Sequence, residues 1–255
     1  MSNLFEQISS SSDSVNNLNS LLSSFTPLVN AKFSYEKTCD SGEKPYFILE
    51  DLWESFKEWS AYGVEVQFTL NDEQVLQYFV PYLSAIQLYV EDEGLDEKSG
   101  DSVTTNKVVY EFFEHFSPYV RIPLTKKVST LAKEDPCLKY LRSSEISPCS
   151  WFSVAWYPIY RIPNGPTLKN IEASFLTYHN LSTQPEMRDR KMKTPLPIFG
   201  LTTYKVRGSI LPFPEASQSC QLNSLLKAAD GWLKNLKVRH YDHNHFVQNG
   251  KQWVD

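Results

Sequence analysis

Two stretches of this chain are apolar on both of their alternating faces, and that narrows the possible folds more than any other feature of the sequence. In Tyr78–Val90 (YFVPYLSAIQLYV), Val80, Tyr82, Ile86 and Leu88 alternate with Leu83, Ala85 and Tyr89. In Ser150–Ile162 (SWFSVAWYPIYRI), Phe152, Val154 and Trp156 alternate with Trp151, Ala155 and Tyr157. Alternation signals a strand, and apolar residues on both faces signal a strand covered from both sides. Pro81 donates no ladder hydrogen bond, which predicts a bulge or a strand start there.

Other segments fill in around these two. Val64, Val66 and Phe68 alternate with polar residues and predict a third strand. Residues 171–181 predict another, with Ile171, Ala173, Phe175 and Thr177 on one face. Residues 198–211 predict a partly wet strand, with Thr203, Lys205 and Arg207 on one face and Tyr204 and Val206 on the other. Pro163-Asn164-Gly165-Pro166 is a turn signal, and 182–197 reads as a polar loop. Helical spacing appears in 48–59 (Leu49, Leu52, Trp53, Phe56), with Gly63 closing that region, and in 219–238, where Leu222, Leu225, Leu226, Ala229, Trp232, Leu233 and Leu236 form one stripe expected to pack on the sheet. Residues 107–117 are expected to form a helix with Val108, Val109, Phe112, Phe113 and Phe116 inward, and 124–141 a helical or turn-rich section. Asn71 or Asp72 is expected to cap a short helical turn, and the acidic stretch 91–106 to be a solvated loop.

Helices early, strands in the middle and a closing helix do not make a βαβ alternation. The expected fold is therefore α+β: an antiparallel or mixed sheet of four to six strands with helices packed on its faces. Residues 1–45 are rich in Ser and Asn and predict a largely disordered tail, apart from a helical pattern in Val15, Leu18, Leu21, Leu22 and Phe25. Residues 46–246 form the single expected domain, 247–255 a loose tail, and everything from 240 onward reads as polar.

At 255 residues, 41% hydrophobic and 22% charged, the chain can bury one large core. A net charge of −5 disfavours broad binding to nucleic acid or anionic membranes. No apolar run is long enough for a membrane span, and the opening residues lack the pattern of a secretory leader. Cys39, Cys137, Cys149 and Cys220 are widely spaced and read as reduced thiols, which places the protein in cytoplasm or nucleus.

Several exact strings resemble a plant family known as domain of unknown function 789. They are DLWESFKEWSAYG at 51–63, YFVPYLSAIQLY at 78–89, SWFSVAWYPIYRIP at 150–163, GPTL at 165–168, FLTYH at 175–179, FGL at 199–201 and AADGWL at 228–233. They span roughly 45–246. The family often carries a longer insertion after the second strand and often ends in His-Pro-Asp, where this chain has His240-Tyr241-Asp242. The resemblance implies a plant source and carries no activity, cofactor or catalytic residue.

The chemistry-bearing residues give few complete patterns. His240, Asp242, His243 and His245 are suitable zinc ligands by type, but they follow the last expected helix without a rigid frame, so no metal is expected. Ser150, Ser153 and Cys149 near the central strand, with His179 on a neighbouring one, are the available parts of a nucleophilic relay, but there is no nucleophile elbow. No nucleotide or phosphate fingerprint occurs, and no cofactor is expected. Arg188, Arg190, Lys191 and Lys193 form a basic run suited to RNA, against an acidic total. Arg161 interrupts an apolar strand and requires a carboxylate, with Asp51, Glu54 and Glu172 as candidates. A pocket lined by Tyr157, Arg161 and Tyr178, near His179, would take an anionic ligand. The reading preferred on the sequence is a non-enzymatic module that binds a protein partner. A small-ligand protein or enzyme around Arg161 and His179, and RNA binding through 188–193, are the alternatives.

Overall fold

A computed structural model describes residues 16–34, 44–70, 73–95, 102–163, 173–182, 193–205, 211 and 216–250. In chain order the elements are α1 (Asn17–Ser24), β1 (Leu28–Asn30), β2 (Lys32–Ser34), β3 (Lys44–Tyr46), α2 (Leu49–Ser55), α3 (Lys57–Tyr62), β4 (Val64–Leu70), β5 (Glu73–Leu95), β6 (Ser102–Phe113), α4 (Leu124–Glu134), α5 (Cys137–Tyr140), β7 (Trp151–Pro163), β8 (Ser174–Asn180), β9 (Lys193–Pro195), β10 (Ile198–Tyr204), α6 (Ala216–Asn235) and α7 (Tyr241–Gly250).

β5 organises the sheet. Its 23 residues pair antiparallel with β4 at the start, with β7 through the middle and with β6 at the end. β8 and β10 continue beyond β7, giving six antiparallel strands in the order β10-β8-β7-β5-β4, with β6 on β5. β4 leaves at the Val64–Phe79 pair and β6 joins at Phe113–Ala85. Pro81 falls between them, where β5 has only β7 beside it, so its missing N–H leaves no gap on that side. The fold is α+β, as the sequence predicts.

The two apolar faces of β5 and β7 now separate. Phe79, Leu83, Phe152, Val154 and Trp156 lie under the layer formed by α1 to α5. Ala85, Trp151, Ala155, Leu176 and Tyr178 lie under α6 and α7. On the first face, Phe25 stacks flat on Trp156 at 4.0 Å, and Phe79 and Phe175 meet Phe25 edge-on at 5.4 and 6.0 Å.

Several sequence expectations change. Leu18, Leu21 and Leu22 of the N-terminal pattern lie in α1 and Phe25 ends it, with Leu18, Leu21 and Phe25 fully buried, and Val15 lies outside the described residues. α1 also covers the outer edge of β4. Asn17 Nδ2 donates to Thr69 O at 2.8 Å, Asn17 Oδ1 accepts from Thr69 N–H at 2.7 Å, and Ser20 Oγ donates to Gln67 O at 2.7 Å. An edge strand otherwise exposes unpaired backbone groups, and α1 closes this one. Residues 107–113 belong to β6, not to a helix, and Phe116 is exposed. The described parts of the expected 91–106 loop are strand, paired from Glu91–Asn106 to Leu95–Ser102. β5 begins at Glu73, directly paired with Leu70, in place of a helical turn. α7 occupies Tyr241–Gly250, where a loose polar end was expected. Cys137, Cys149 and Cys220 are free thiols, and Cys39 lies outside the described residues.

Gly200 fixes how closely α6 approaches the sheet. A Cβ there would meet the Cβ, Cα and N of Ala229 at 3.0 to 3.1 Å. Ala229 is fully buried, so the helix backbone has no room to yield. Gly200→Ala is expected to lower stability by about 1–3 kcal/mol in urea unfolding. Gly231→Ala, whose Cβ meets nothing within 4 Å, is expected to raise it by roughly 0.5–1 kcal/mol through helix propensity alone.

Candidate functional site

A group of buried polar residues, Ser84, Ser153, Thr202, His240, Asp242 and His243, converges where α7 meets the sheet. His240 sits just before the helix and caps it: its Nδ1 accepts the backbone N–H of His243 at 3.1 Å. A ring nitrogen here does the work usually done by a Ser, Thr, Asp or Asn oxygen. That bond fixes the tautomer. With Nδ1 an acceptor, the ring proton is on Nε2 and is donated to Ser153 Oγ on β7 at 2.8 Å. His240 therefore has no free lone pair to take a proton from Ser153, and the pair is a structural clamp, not a nucleophile and its base. Burial pushes the His240 pKa down to about 3, so the ring is neutral.

Asp242, in the first turn of α7, accepts two hydrogen bonds from Arg121, Nη1 to Oδ2 and Nη2 to Oδ1, both at 2.7 Å. Ser84 of β5 donates a third, to Oδ2. The Arg121 and Asp242 side chains are only 4% and 6% exposed, so this pair is shielded from water. His243 completes the turn. Its Nδ1 lies 2.9 Å from the Tyr178 hydroxyl on β8 and 3.2 Å from Thr202 Oγ1 on β10. Phe246, one turn on, packs against Tyr157 and Tyr204. One short helix is thus fastened to β5, β7, β8 and β10 by buried polar side chains, each with a partner on the sheet.

Below the far end of α7 an open cleft of about 620 Å³ lies between the sheet and the segment that carries Arg121. Tyr82, Tyr119, Tyr157 and Tyr204 line it, with Ser174, Ile159, Lys205 and His245. The Tyr157 hydroxyl is shut off from solvent and has no hydrogen-bond partner among the described residues. Burial raises the Tyr82 and Tyr157 pKa values, so both phenols keep their protons at neutral pH.

The wall that carries Tyr119 is held at both ends. Glu114 Oε1 accepts the N–H groups of His115 and Phe116 at 3.0 and 3.1 Å, and its Oε2 pairs with Lys127 Nζ at 3.0 Å. Arg121 Nε donates to Phe116 O at 2.8 Å while its other nitrogens hold Asp242. Between these anchors the single 3₁₀ turn Pro118–Val120 faces outward.

The residues predicted from sequence are dispersed by this geometry. Tyr157 and Tyr178 share the α7 face of the sheet, but Tyr178 is sealed under the helix and only Tyr157 reaches the cleft. His179 points to the opposite face. Its Nδ1–H donates to Leu196 O at 3.2 Å, and its Nε2 accepts from Thr177 Oγ1 at 3.0 Å, which in turn accepts from Trp156 Nε1 at 2.9 Å. Full burial lowers the His179 pKa to about 4. It is therefore not a neighbour of Tyr178 in one pocket. Arg161 stands opposite Gln77 in the sheet, with its side chain outside the described residues. Its suggested partners are engaged elsewhere: Asp51 with Lys32 at 2.7 Å and Glu54 with Lys57 at 2.6 Å, while Glu172 lies outside the described residues. Arg188, Arg190 and Lys191 also lie outside them, and Lys193 is exposed on β9 opposite Asn30. Of the four suggested metal ligands, His240, Asp242 and His243 are buried in the contacts above, and His245 is on the cleft wall. Among the described residues no group of three or more His, Cys, Asp or Glu side chains is placed to hold a metal. Sequence reasoning passed over Arg121 and Ser84, because nothing local distinguishes a loop arginine or a strand serine from a solvated one.

A family model described as "Protein of unknown function (DUF789)" matches the chain over residues 16–104 and 90–246. The match begins at α1 and ends at Phe246 of α7. No curated protein matches, and no solved structure does.

Proposed function

The chain belongs to the DUF789 family, whose description carries no function, and we propose that it is a non-enzymatic protein-interaction module that docks a partner along the open cleft and the apolar turn beside it. One observation carries this reading. Phe116, Tyr119 and Val120 are 64%, 97% and 67% exposed, yet the segment that bears them is anchored by two ion pairs, Glu114–Lys127 and Arg121–Asp242. Adjacent large apolar side chains exposed in this way are the mark of an interaction surface. Holding them rigid lowers the ordering cost of binding. Ile159, 46% exposed on the facing wall, extends the patch. The hydrogen bonding of His179, His240 and His243 into the interior favours a binding role over a catalytic one. The free thiols suit a partner in cytoplasm or nucleus.

A photo-cross-linking residue placed at Tyr119, and separately at Tyr140, tests the proposal in cells. Tyr140 is 69% exposed in the helical layer over the other face of the sheet. A defined adduct from position 119 and none from 140 is the expected result, and Val120→Asp should abolish it without changing the melting temperature. Equal adducts from both positions, or an adduct indifferent to Val120→Asp, would refute the docking surface.

A further inference from the structure

We infer that Ser117 is a phosphorylation site for a proline-directed Ser/Thr kinase, and that phosphate there closes the docking surface. The site stands on the fold alone; its effect on docking rests on the reading above. The chain holds four Ser/Thr-Pro dipeptides, Thr26-Pro27, Ser117-Pro118, Ser147-Pro148 and Thr194-Pro195. The fold withdraws three of them. Ser147 is 2% exposed, and its Oγ donates to Asn106 Oδ1. Thr194 is 8% exposed on β9, opposite Val29. Thr26 is half-buried after α1, and its Oγ1 donates to Leu22 O at 2.7 Å. Ser117 differs on each count. It is exposed, its hydroxyl has no partner among the described residues, and its backbone is extended, with φ −56° and ψ 146°.

A kinase has to close on a short run of chain on both sides of the hydroxyl. Here His115, Phe116, Tyr119 and Val120 are all exposed, and Pro118 is half-buried. Two backbone bonds hold the turn, Val120 N–H to Ser117 O at 3.1 Å and Arg121 N–H to Pro118 O at 3.3 Å, so little structure has to open. Pro118 suits the position after the acceptor, because it brings no N–H that the kinase would have to satisfy. In the transfer, Ser117 Oγ attacks the γ-phosphorus of ATP and its proton passes to the catalytic base of the kinase. ADP leaves with the electron pair of the broken P–O bond. The product places a charge of about −1.5 to −2 between Phe116 and Tyr119. The cations that anchor this segment are already held, Arg121 by Asp242 and Lys127 by Glu114. An apolar partner would therefore have to strip water from a phosphate in order to dock, which is how phosphorylation disrupts an apolar interface.

Incubating the full-length protein with ATP and a mitogen-activated protein kinase, then mapping the phosphate by mass spectrometry over time, tests the site. Ser117 should be modified at least about tenfold faster than Thr26, Ser147 or Thr194, whose hydroxyls need local opening first. Ser117→Ala should remove that fast phase. No phosphate at Ser117, or equal rates at the buried positions, would overturn the site. The cross-linker at position 119 tests the effect on docking in cells. Its adduct should be about tenfold weaker in Ser117→Asp than in Ser117→Asn, which is of similar size and uncharged. Equal adducts from the two variants would overturn the closure. If neither variant nor the parent gives an adduct, the docking reading itself falls, and the kinase reaction alone decides the site.

Discussion

Replacing Asp242 by alanine is expected to lower the stability of the protein by about 3–5 kcal/mol, the usual cost of removing one partner from a buried ion pair. Both side chains lie within 6% of full burial, and the bidentate contact at 2.7 Å supplies two of Arg121's hydrogen bonds. Without Asp242 the guanidinium keeps, among the described residues, the carbonyl of Phe116 alone. The damage extends beyond the pair, because α7 loses its tie to Ser84 and the interaction turn loses its second anchor. The double substitution Arg121→Met with Asp242→Leu should recover most of the loss, since a buried pair replaced by apolar groups of similar size is often neutral. Urea unfolding of the parent, the two single variants and the double variant gives the coupling energy. Asp230 supplies the comparison. It pairs with Lys234 at 2.5 Å, but the two side chains are 48% and 73% exposed, and Asp230→Ala should cost only about 0.3–0.5 kcal/mol. If Asp242→Ala costs no more than that, water reaches the Arg121 pair and the rigid presentation of Phe116, Tyr119 and Val120 loses its basis.

What the sequence shows and what it conceals follow from where each residue's partner lies. β5 and β7 were legible because both faces of each are covered, so both alternating sets are apolar. The α6 stripe was legible for the same kind of reason: Leu222 and Leu225 meet one core, and Ala229, Trp232, Leu233 and Leu236 the other. β6 misled because Val108, Val109, Phe112 and Phe113 fit a helical spacing. In the sheet Phe112 and Phe113 obey a period of two: Phe112 faces the cluster under α1 to α5, with Lys127 Nζ 4.7 Å from its ring centre, and Phe113 faces Trp151, while the register shifts at Val109. Val108 and Val109 are both exposed, since β5 and β6 there run past the ends of the other strands. Pairing with β5 overrode the local pattern. The acidic stretch after Val90 is strand in its described parts and not loop, with Glu91, Asp92, Thr105 and Asn106 exposed, because a two-stranded ribbon can be wet where no other layer covers it.

The candidate site was hidden for a different reason. Sequence patterns find helices by an apolar stripe, and the first turn of α7 has none: His240, Asp242 and His243 are polar and nevertheless buried. Each is matched across space to Ser153, to Ser84 and Arg121, or to Tyr178 and Thr202, residues 41 to 158 positions away in the chain. No local window contains both halves of such a match. The helix cap was equally invisible, since histidine is not among the residues that signal a helix start. Tyr157, which the sequence places in a pocket with Arg161 and Tyr178, lines the cleft, while Tyr178 is sealed under α7. Its companions in the cleft, Tyr82, Tyr119, Tyr204 and Lys205, come from three other segments and meet only in the fold.

Mild acid should destabilise the protein over the range in which surface histidines ordinarily titrate, and this is the second large effect. His179 and His240 are fully buried and His243 largely so, and burial holds all three below the usual value of 6.5, to about 4 and about 3 for the first two. For His243 burial outweighs the favourable charge of Asp230, whose carboxylate lies 3.8 Å away. The sign follows from proton counting. Below about pH 6.5 the unfolded chain binds protons that the folded chain refuses, so stability is complete above that pH and is lost as pH falls toward the folded values. Each histidine contributes roughly 1 kcal/mol or more per pH unit within the window. Urea midpoints measured from neutral pH down to about 5, where most carboxylates are still ionised, should therefore fall steeply, with two to three protons taken up on unfolding. His179→Gln keeps a donor for Leu196 O and an acceptor for Thr177 but cannot titrate, and it should remove one proton from that slope. His240→Gln should remove another. A midpoint indifferent to pH across this range, or a slope unchanged by both substitutions, would mean that these rings are hydrated in the folded state. The clamp that fastens α7 to the four strands would then be looser than its hydrogen bonds imply.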